Sequence, residues 1–210
     1  MATYASVNPA TGETLREFET LDSAGVEDAL ARAQTGFEDW RRTTPQERSV
    51  VLAAVATAYD ERTDELARMV ATEMGKPVRE AKGEVKLTSM IYAYYAEHGP
   101  AMLADQPLDI AGADETVVRK LPIGPLLGVM PWNFPYYQVA RFVAPNLIAG
   151  NTIILKHAPQ CPESAAALQT HFHDAGLPAG AYANVYPTNE RGALTTAPPP
   201  LQRCPVSLAP

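Results

Sequence analysis

The sequence predicts an α/β fold in which a helical layer is followed by a partial parallel sheet. Three observations carry that expectation. Pro125 to Met130 and Thr152 to Lys156 are short apolar runs suited to buried strands, and a segment of helical spacing separates them. Tyr182 to Tyr186 is a third such run, again reached through a helical segment. Asp22 to Gly99 carries apolar residues that recur every three or four positions, with turn residues between the repeats.

The elements follow in order. Asn8-Pro9-Ala10-Thr11-Gly12-Glu13 is a turn signal, and short strands on either side of it predict a hairpin over Tyr4 to Phe18. Asp22-Ser23 caps a helix whose face is Val26, Ala29, Leu30, Ala33, Phe37 and Trp40. Thr44, Pro45 and Glu47 form a capping box for the next helix. Its stripe runs from Leu52, Val55, Ala56 and Tyr59 to Leu66, Met69, Val70 and Met74, with a break expected near Asp60 to Asp64. Gly75 ends it. Pro77 opens another helix with Val78, Ala81, Val85, Thr88, Tyr92 and Tyr95 on one side, and Gly99-Pro100 is expected to stop it. Tyr92, Tyr94 and Tyr95 read as packing and interface residues.

Asp105 to Asp114 is turn-like, and Glu115 to Leu121 alternates as a strand would. Tyr136 to Ile148 is a helix closed by Gly150, and Pro162 starts a further helix closed by Gly176. Strand, helix, strand, helix, strand is two βαβ units, which predicts half of a Rossmann-like parallel sheet with right-handed crossovers. The last residues, 191–210, are rich in proline and show no helix or strand period; Pro198-Pro199-Pro200 favours polyproline II.

The organisation expected is therefore a hairpin and helices over 1–114, a strand over 115–121, a βαβαβ unit over 122–188 and a tail over 189–210. The chain has 210 residues, 46% of them hydrophobic and 20% charged, a globular composition. Its net charge of −7 argues against a general nucleic-acid binder. No apolar run approaches the ~20 residues that span a bilayer. No secretory signal is visible at the N-terminus, and Cys161 and Cys204 form no paired motif, so a cytoplasmic protein is expected. His98, His157, His171 and His173 show no zinc spacing.

Polar residues gather where the first two strands end, at Trp132-Asn133 and Lys156-His157. Ligands of open α/β sheets bind at that edge. Asn133 offers a side-chain NH₂ in a turn stiffened by Pro131 and Pro135, and Lys156 offers a cation that can reach ribose hydroxyls or phosphate.

The block Pro131-Trp132-Asn133-Phe134-Pro135, followed by Gly150-Asn151-Thr152-Ile153-Ile154-Leu155-Lys156-His157-Ala158-Pro159, resembles the aldehyde dehydrogenase family, and within it the succinate-semialdehyde branch. Asn8-Pro9 to Glu13 and Glu73-Met74-Gly75-Lys76-Pro77 match further elements of that family, and the resemblance ends near Tyr186. It implies NAD(P)-dependent oxidation of an aldehyde to an acid, succinate semialdehyde to succinate. It implies Asn133 as oxyanion-hole donor, and a cofactor pocket of Met130, Pro131, Trp132, Asn133, Lys156, His157, Ala158 and Pro159. Pro159 stands where NAD-preferring relatives often carry a glutamate, which tilts the expectation from NAD toward NADP.

The resemblance also implies a small aldehyde as substrate and a homo-oligomer formed through the 115–121 sheet edge. The family's F-x-N-x-G-Q-x-C nucleophile segment and E-L-G-G base segment do not occur in these residues. Cys161 and Cys204 match neither. The chain as it stands is expected to be inactive alone, with a frameshifted or foreign tail from about Thr188 to Glu190 onward. The alternative expectation is a non-catalytic nucleotide-binding or interaction fragment, or an aggregating one.

Overall fold

A computed structural model describes residues 4–111 and 116–188, and the backbone at 202–203. The hairpin forms as expected: β1 (Tyr4–Val7) pairs antiparallel with β2 (Thr14–Phe18). Asn8 Oδ1 accepts from the Ala10 amide inside the turn. Helix α1 (Ser23–Trp40) is capped by Asp22, whose side chain accepts from the Gly25 amide. The Thr44–Glu47 capping box opens α2 (Pro45–Glu61) with both reciprocal bonds made. The expected break falls at Arg62, and α3 (Thr63–Met74) then runs to Gly75, which is left-handed at φ 77°.

Helix α4 (Val78–Met102) passes through Pro100 instead of stopping at Gly99-Pro100. Proline costs a helix the bond to the carbonyl four residues back. Here that carbonyl belongs to Ala96 and accepts from the Ser49 hydroxyl of α2, so it is not orphaned. Next comes a ladder shorter than expected, β3 (Gln106–Pro107) with β4 (Val117–Val118). Just past Pro107 the Leu108 amide still donates to the Thr116 carbonyl at 2.8 Å. Tyr92 is fully buried, Tyr95 packs against the core, and Tyr94 is exposed on α4.

The parallel sheet follows. Strand β5 (Pro125–Val129), helix α5 (Tyr137–Ala149), strand β6 (Thr152–Lys156), helix α6 (Pro162–Asp174) and strand β7 (Tyr182–Asn184) make the two expected βαβ units. β7 is shorter than expected because the chain leaves β6 after Val185, and Tyr186 then accepts from the Leu21 amide. The tail contributes more than its composition suggested. β8 (Gln202–Arg203) pairs parallel with Leu126 and Leu127, so the order is β7-β6-β5-β8. The expected polyproline stretch at Pro198–Pro200 lies outside the described residues.

Both faces of this sheet are covered, which is why its strands read as continuous apolar runs. Ile154 and Val185 pack on Ala29 and Ala33 of α1. Ile153 and Leu155 face the opposite way, into a core with Phe142, Leu147, Leu168 and Phe172, over which α2, α3 and α4 form an outer layer. Gly36 of α1 lies so close to the Gly180 backbone that a Cβ would meet its carbonyl carbon at 2.3 Å.

Candidate functional site

The two motif-bearing turns lie side by side. β5 and β6 pair in register, and beyond β5 the Met130 amide donates to the Lys156 carbonyl at 3.1 Å. That bond brings Pro131 to Pro135 beside Lys156 to Pro159. β6 lies on one side of β5 and β8 on the other, so β5 is the point where the strand order reverses. A crevice at the carboxyl ends of the strands is expected at such a point.

Trp132 and Asn133 are exposed, while Met130 is buried beneath them. The Asn133 amide group makes no hydrogen bond among the described residues, so its donors remain available. Lys156 is half-buried, and burial lowers its pKa. Its ammonium lies 5.9 Å from the Tyr4 ring centroid and has no carboxylate partner among the described residues. A free, partly desolvated ammonium at a strand end suits the hydroxyls or phosphate of a nucleotide. These residues therefore fit a dinucleotide, and Pro159 places no negative charge beside Lys156.

His157 works differently from its neighbours. Its imidazole is fully buried with both nitrogens engaged. Nδ1 accepts from the Ala158 amide at 2.8 Å, which leaves Nε2 as the donor to the Pro135 carbonyl at 3.0 Å. Burial holds its pKa down at about 4, so the ring is neutral. Whatever His157 does for a cofactor pocket, it does by holding Ala158 and Pro135 in place.

Helices α5 and α6 start at these turns without caps of their own. Their caps come from the Glu73 to Glu84 region. Glu84 Oε1 accepts from the amides of Tyr136 and Tyr137 at 2.9 and 3.2 Å. Glu73 accepts from the amides of Glu163 and Ser164 at 2.6 and 3.0 Å and from the Ser164 hydroxyl. Lys76 makes a buried ion pair with Glu84 and donates to the Asn133 carbonyl at 2.8 Å. Sequence reasoning assigned no site role to these three. One signal was present: Glu73 and Glu84 lie on apolar stripes, at the spacing of Val70 and Ala81, where a charge needs a partner.

Among the described residues, no exposed thiol lies at these turns. Cys161 is buried, its Sγ lies 3.6 Å from the Trp132 carbonyl, and burial pushes the thiol pKa far up, with Glu73 and Glu84 adding to the effect. Cys204 lies outside the described residues. No cluster of metal-ligating side chains occurs among the described residues.

A parallel sheet covered on both faces, with polar turns at its strand ends, places the chain in the doubly wound α/β class, whose ligands bind at that edge. The sequence model of the aldehyde dehydrogenase family matches residues 1–199, so the chain belongs to that family. The match reaches past Tyr186, where the motif resemblance ended. An NADP(+) succinate-semialdehyde dehydrogenase of Deinococcus radiodurans is 46% identical over 183 residues, 87% of this chain and 38% of the relative. The succinate semialdehyde dehydrogenase Sad of Escherichia coli, described as using NAD(P)+, is 42% identical over 182 residues, 86% of this chain and 39% of that protein. Among solved structures, succinic semialdehyde dehydrogenase from Streptococcus pyogenes in complex with NADP+ superposes with a TM-score of 0.88 at 35% identity, covering 94% of this chain and 44% of that one. The chain thus spans about 40% of the length of the relatives it matches.

Proposed function

We propose that these residues are the cofactor-binding and oxyanion-hole part of an NAD(P)-dependent aldehyde dehydrogenase, and that the whole protein oxidises succinate semialdehyde to succinate. The observation that carries this reading is the pairing of two free donors, the Asn133 amide and the Lys156 ammonium, at adjacent ends of β5 and β6. When a thiolate adds to an aldehyde carbonyl, the oxygen becomes an alkoxide, and Asn133 Nδ2 supplies a hydrogen bond to it. The cofactor, when bound, accepts the hydride. Lys156 orients it through ribose hydroxyls or a 2′-phosphate, with Met130, Pro131, Trp132, Ala158 and Pro159 shaping the pocket. The absence of a carboxylate at Pro159 and the NADP(+) or NAD(P)+ of the relatives favour NADP, with NAD as the alternative.

A cytoplasmic setting fits this chemistry, and no helix among the described residues is long and apolar enough to cross a membrane. Association of copies through the β3–β4 edge is supported by the exposed Leu108, Ile110, Val118 and Leu121 around it. Among the described residues the one cysteine, Cys161, is buried, and the 210-residue chain is proposed to bind nucleotide without turnover.

The test has two arms. NADPH titrated into the 210-residue chain, followed by cofactor fluorescence, should saturate, and Lys156→Ala should weaken it. In the protein translated from the full coding region, Asn133→Ala should lower kcat for succinate semialdehyde by roughly 10²–10³, the usual cost of losing an oxyanion donor. Full activity in that variant would end the reading.

A further inference from the structure

We infer that Lys76 and Glu84 are positioning residues that set where Asn133 sits, by gripping the turn between β5 and α5 from both ends. The inference rests on the reading of Asn133 as oxyanion donor. The turn has little packing of its own. Trp132 and Phe134 are 52% and 42% exposed, so burial alone does not fix its height over the sheet.

Three of its carbonyls are instead held one by one from other elements. Trp132 accepts from Cys161 Sγ at 3.6 Å, Asn133 from Lys76 Nζ at 2.8 Å, and Pro135 from His157 Nε2 at 3.0 Å. The thiol is the weakest of these donors and the ammonium is the only charged one. Only the Lys76 bond falls on the residue that carries the chemistry.

Lys76 is itself held. Its ammonium pairs with Glu84 and lies 3.8 Å from the Phe134 ring centroid. The two side chains are 7% and 1% exposed, so screening by water and salt is slight. Glu84 uses its other oxygen on the Tyr136 and Tyr137 amides. A single ion pair therefore grips the turn at residue 133 and again at residues 136 and 137. Moving either group displaces the Asn133 backbone relative to Lys156.

The chain contains two tryptophans, and they serve as reporter and control. Trp132 adjoins Asn133, whereas Trp40 is buried with its indole N–H donating to Leu147. The 210-residue chain labelled with 5-fluorotryptophan gives one ¹⁹F signal for each, assigned with Trp132→Phe. In Lys76→Met the Trp132 signal should shift toward the free-indole position and narrow, while Trp40 stays put. Lys76→Arg should restore much of the native shift.

A Trp132 signal unmoved in Lys76→Met, with Trp40 intact, overturns the inference. If both signals collapse in that variant, Glu84→Gln decides: a displaced Trp132 signal over a native Trp40 signal supports the grip, and an unmoved one overturns it. These readouts involve no turnover. Failure of the oxyanion reading would appear elsewhere, as full activity of Asn133→Ala in the whole protein.

Discussion

The His157 ring nitrogen lies 3.0 Å from the Pro135 carbonyl and joins the turn after β6 to the turn after β5. The two motifs are thus tied to each other by a side-chain hydrogen bond as well as by the sheet. Their connection is a neutral imidazole held in low-dielectric surroundings, and this makes it sensitive to pH.

Folded His157 is held near a pKa of about 4 against the usual 6.5. Above pH 6.5 both folded and unfolded rings are neutral, and the full stabilisation is present. As pH falls from 6.5 toward 4 the unfolded ring takes a proton that the folded ring refuses, so stability drops, by roughly 3 kcal/mol across the window. Urea midpoints of the native chain and of His157→Gln at pH 7 and 4.5 check this. The gap between the two proteins should shrink at the lower pH, and a constant gap would mean the ring is not buried and neutral.

Glu73 has the opposite sign. Burial raises its carboxyl to about 7 from the usual 4.5, against the pull of its three donors. Below pH 4.5 both states are protonated. Between 4.5 and 7 the unfolded chain ionises first, and up to about 3 kcal/mol of stability is lost as pH rises. Glu73→Gln carries a fixed cost at every pH, because its NH₂ cannot accept. That cost should be offset progressively toward pH 8, as read by the same urea midpoints.

Gly36→Ala should strike the contact between α1 and the loop before β7. The added Cβ would sit 2.3 Å from the Gly180 carbonyl carbon, and neither group is a flexible side chain. Overpacking of this kind costs about 1–3 kcal/mol or more. The thermal midpoint should fall, and α1 amides should exchange faster with deuterium.

Cys161 should resist alkylation in the folded chain. In Cys204→Ser at pH 8, iodoacetamide should label it only at the rate of opening, and urea should release fast labelling. Rapid modification without urea would show an accessible thiolate and reopen the question of a nucleophile in these residues.

Much of the fold could be read locally. The Thr44–Glu47 box, the Asp22 cap, the Asn8–Glu13 turn and the glycines at 75 and 150 each depend on a few neighbouring residues, and each occurs where expected. The misjudged stop at Pro100 shows the limit. A proline penalty is local, whereas its relief comes from Ser49, 47 residues from the Ala96 carbonyl it satisfies. The site divides similarly. Asn133 and Lys156 stood out by type and by place at strand ends. Lys76, Glu73 and Glu84 did not, since their partners lie 52 to 91 residues distant, apart from the ion pair itself. The buried, structural nature of His157 was also invisible until its two partners could be seen.

The borrowed caps of α5 and α6 bear on the order in which the chain folds. A helix of 13 residues without its own cap is marginal in water. Glu84 and Glu73 reach these helices only after loops of 52 and 91 residues have closed. Such closures are entropically unfavourable and slow relative to local helix formation. The helices of the α2–α4 layer meet through somewhat shorter loops, as between Ser89 and Ala56, 33 residues apart, so that layer is expected to form before the turn that holds Asn133.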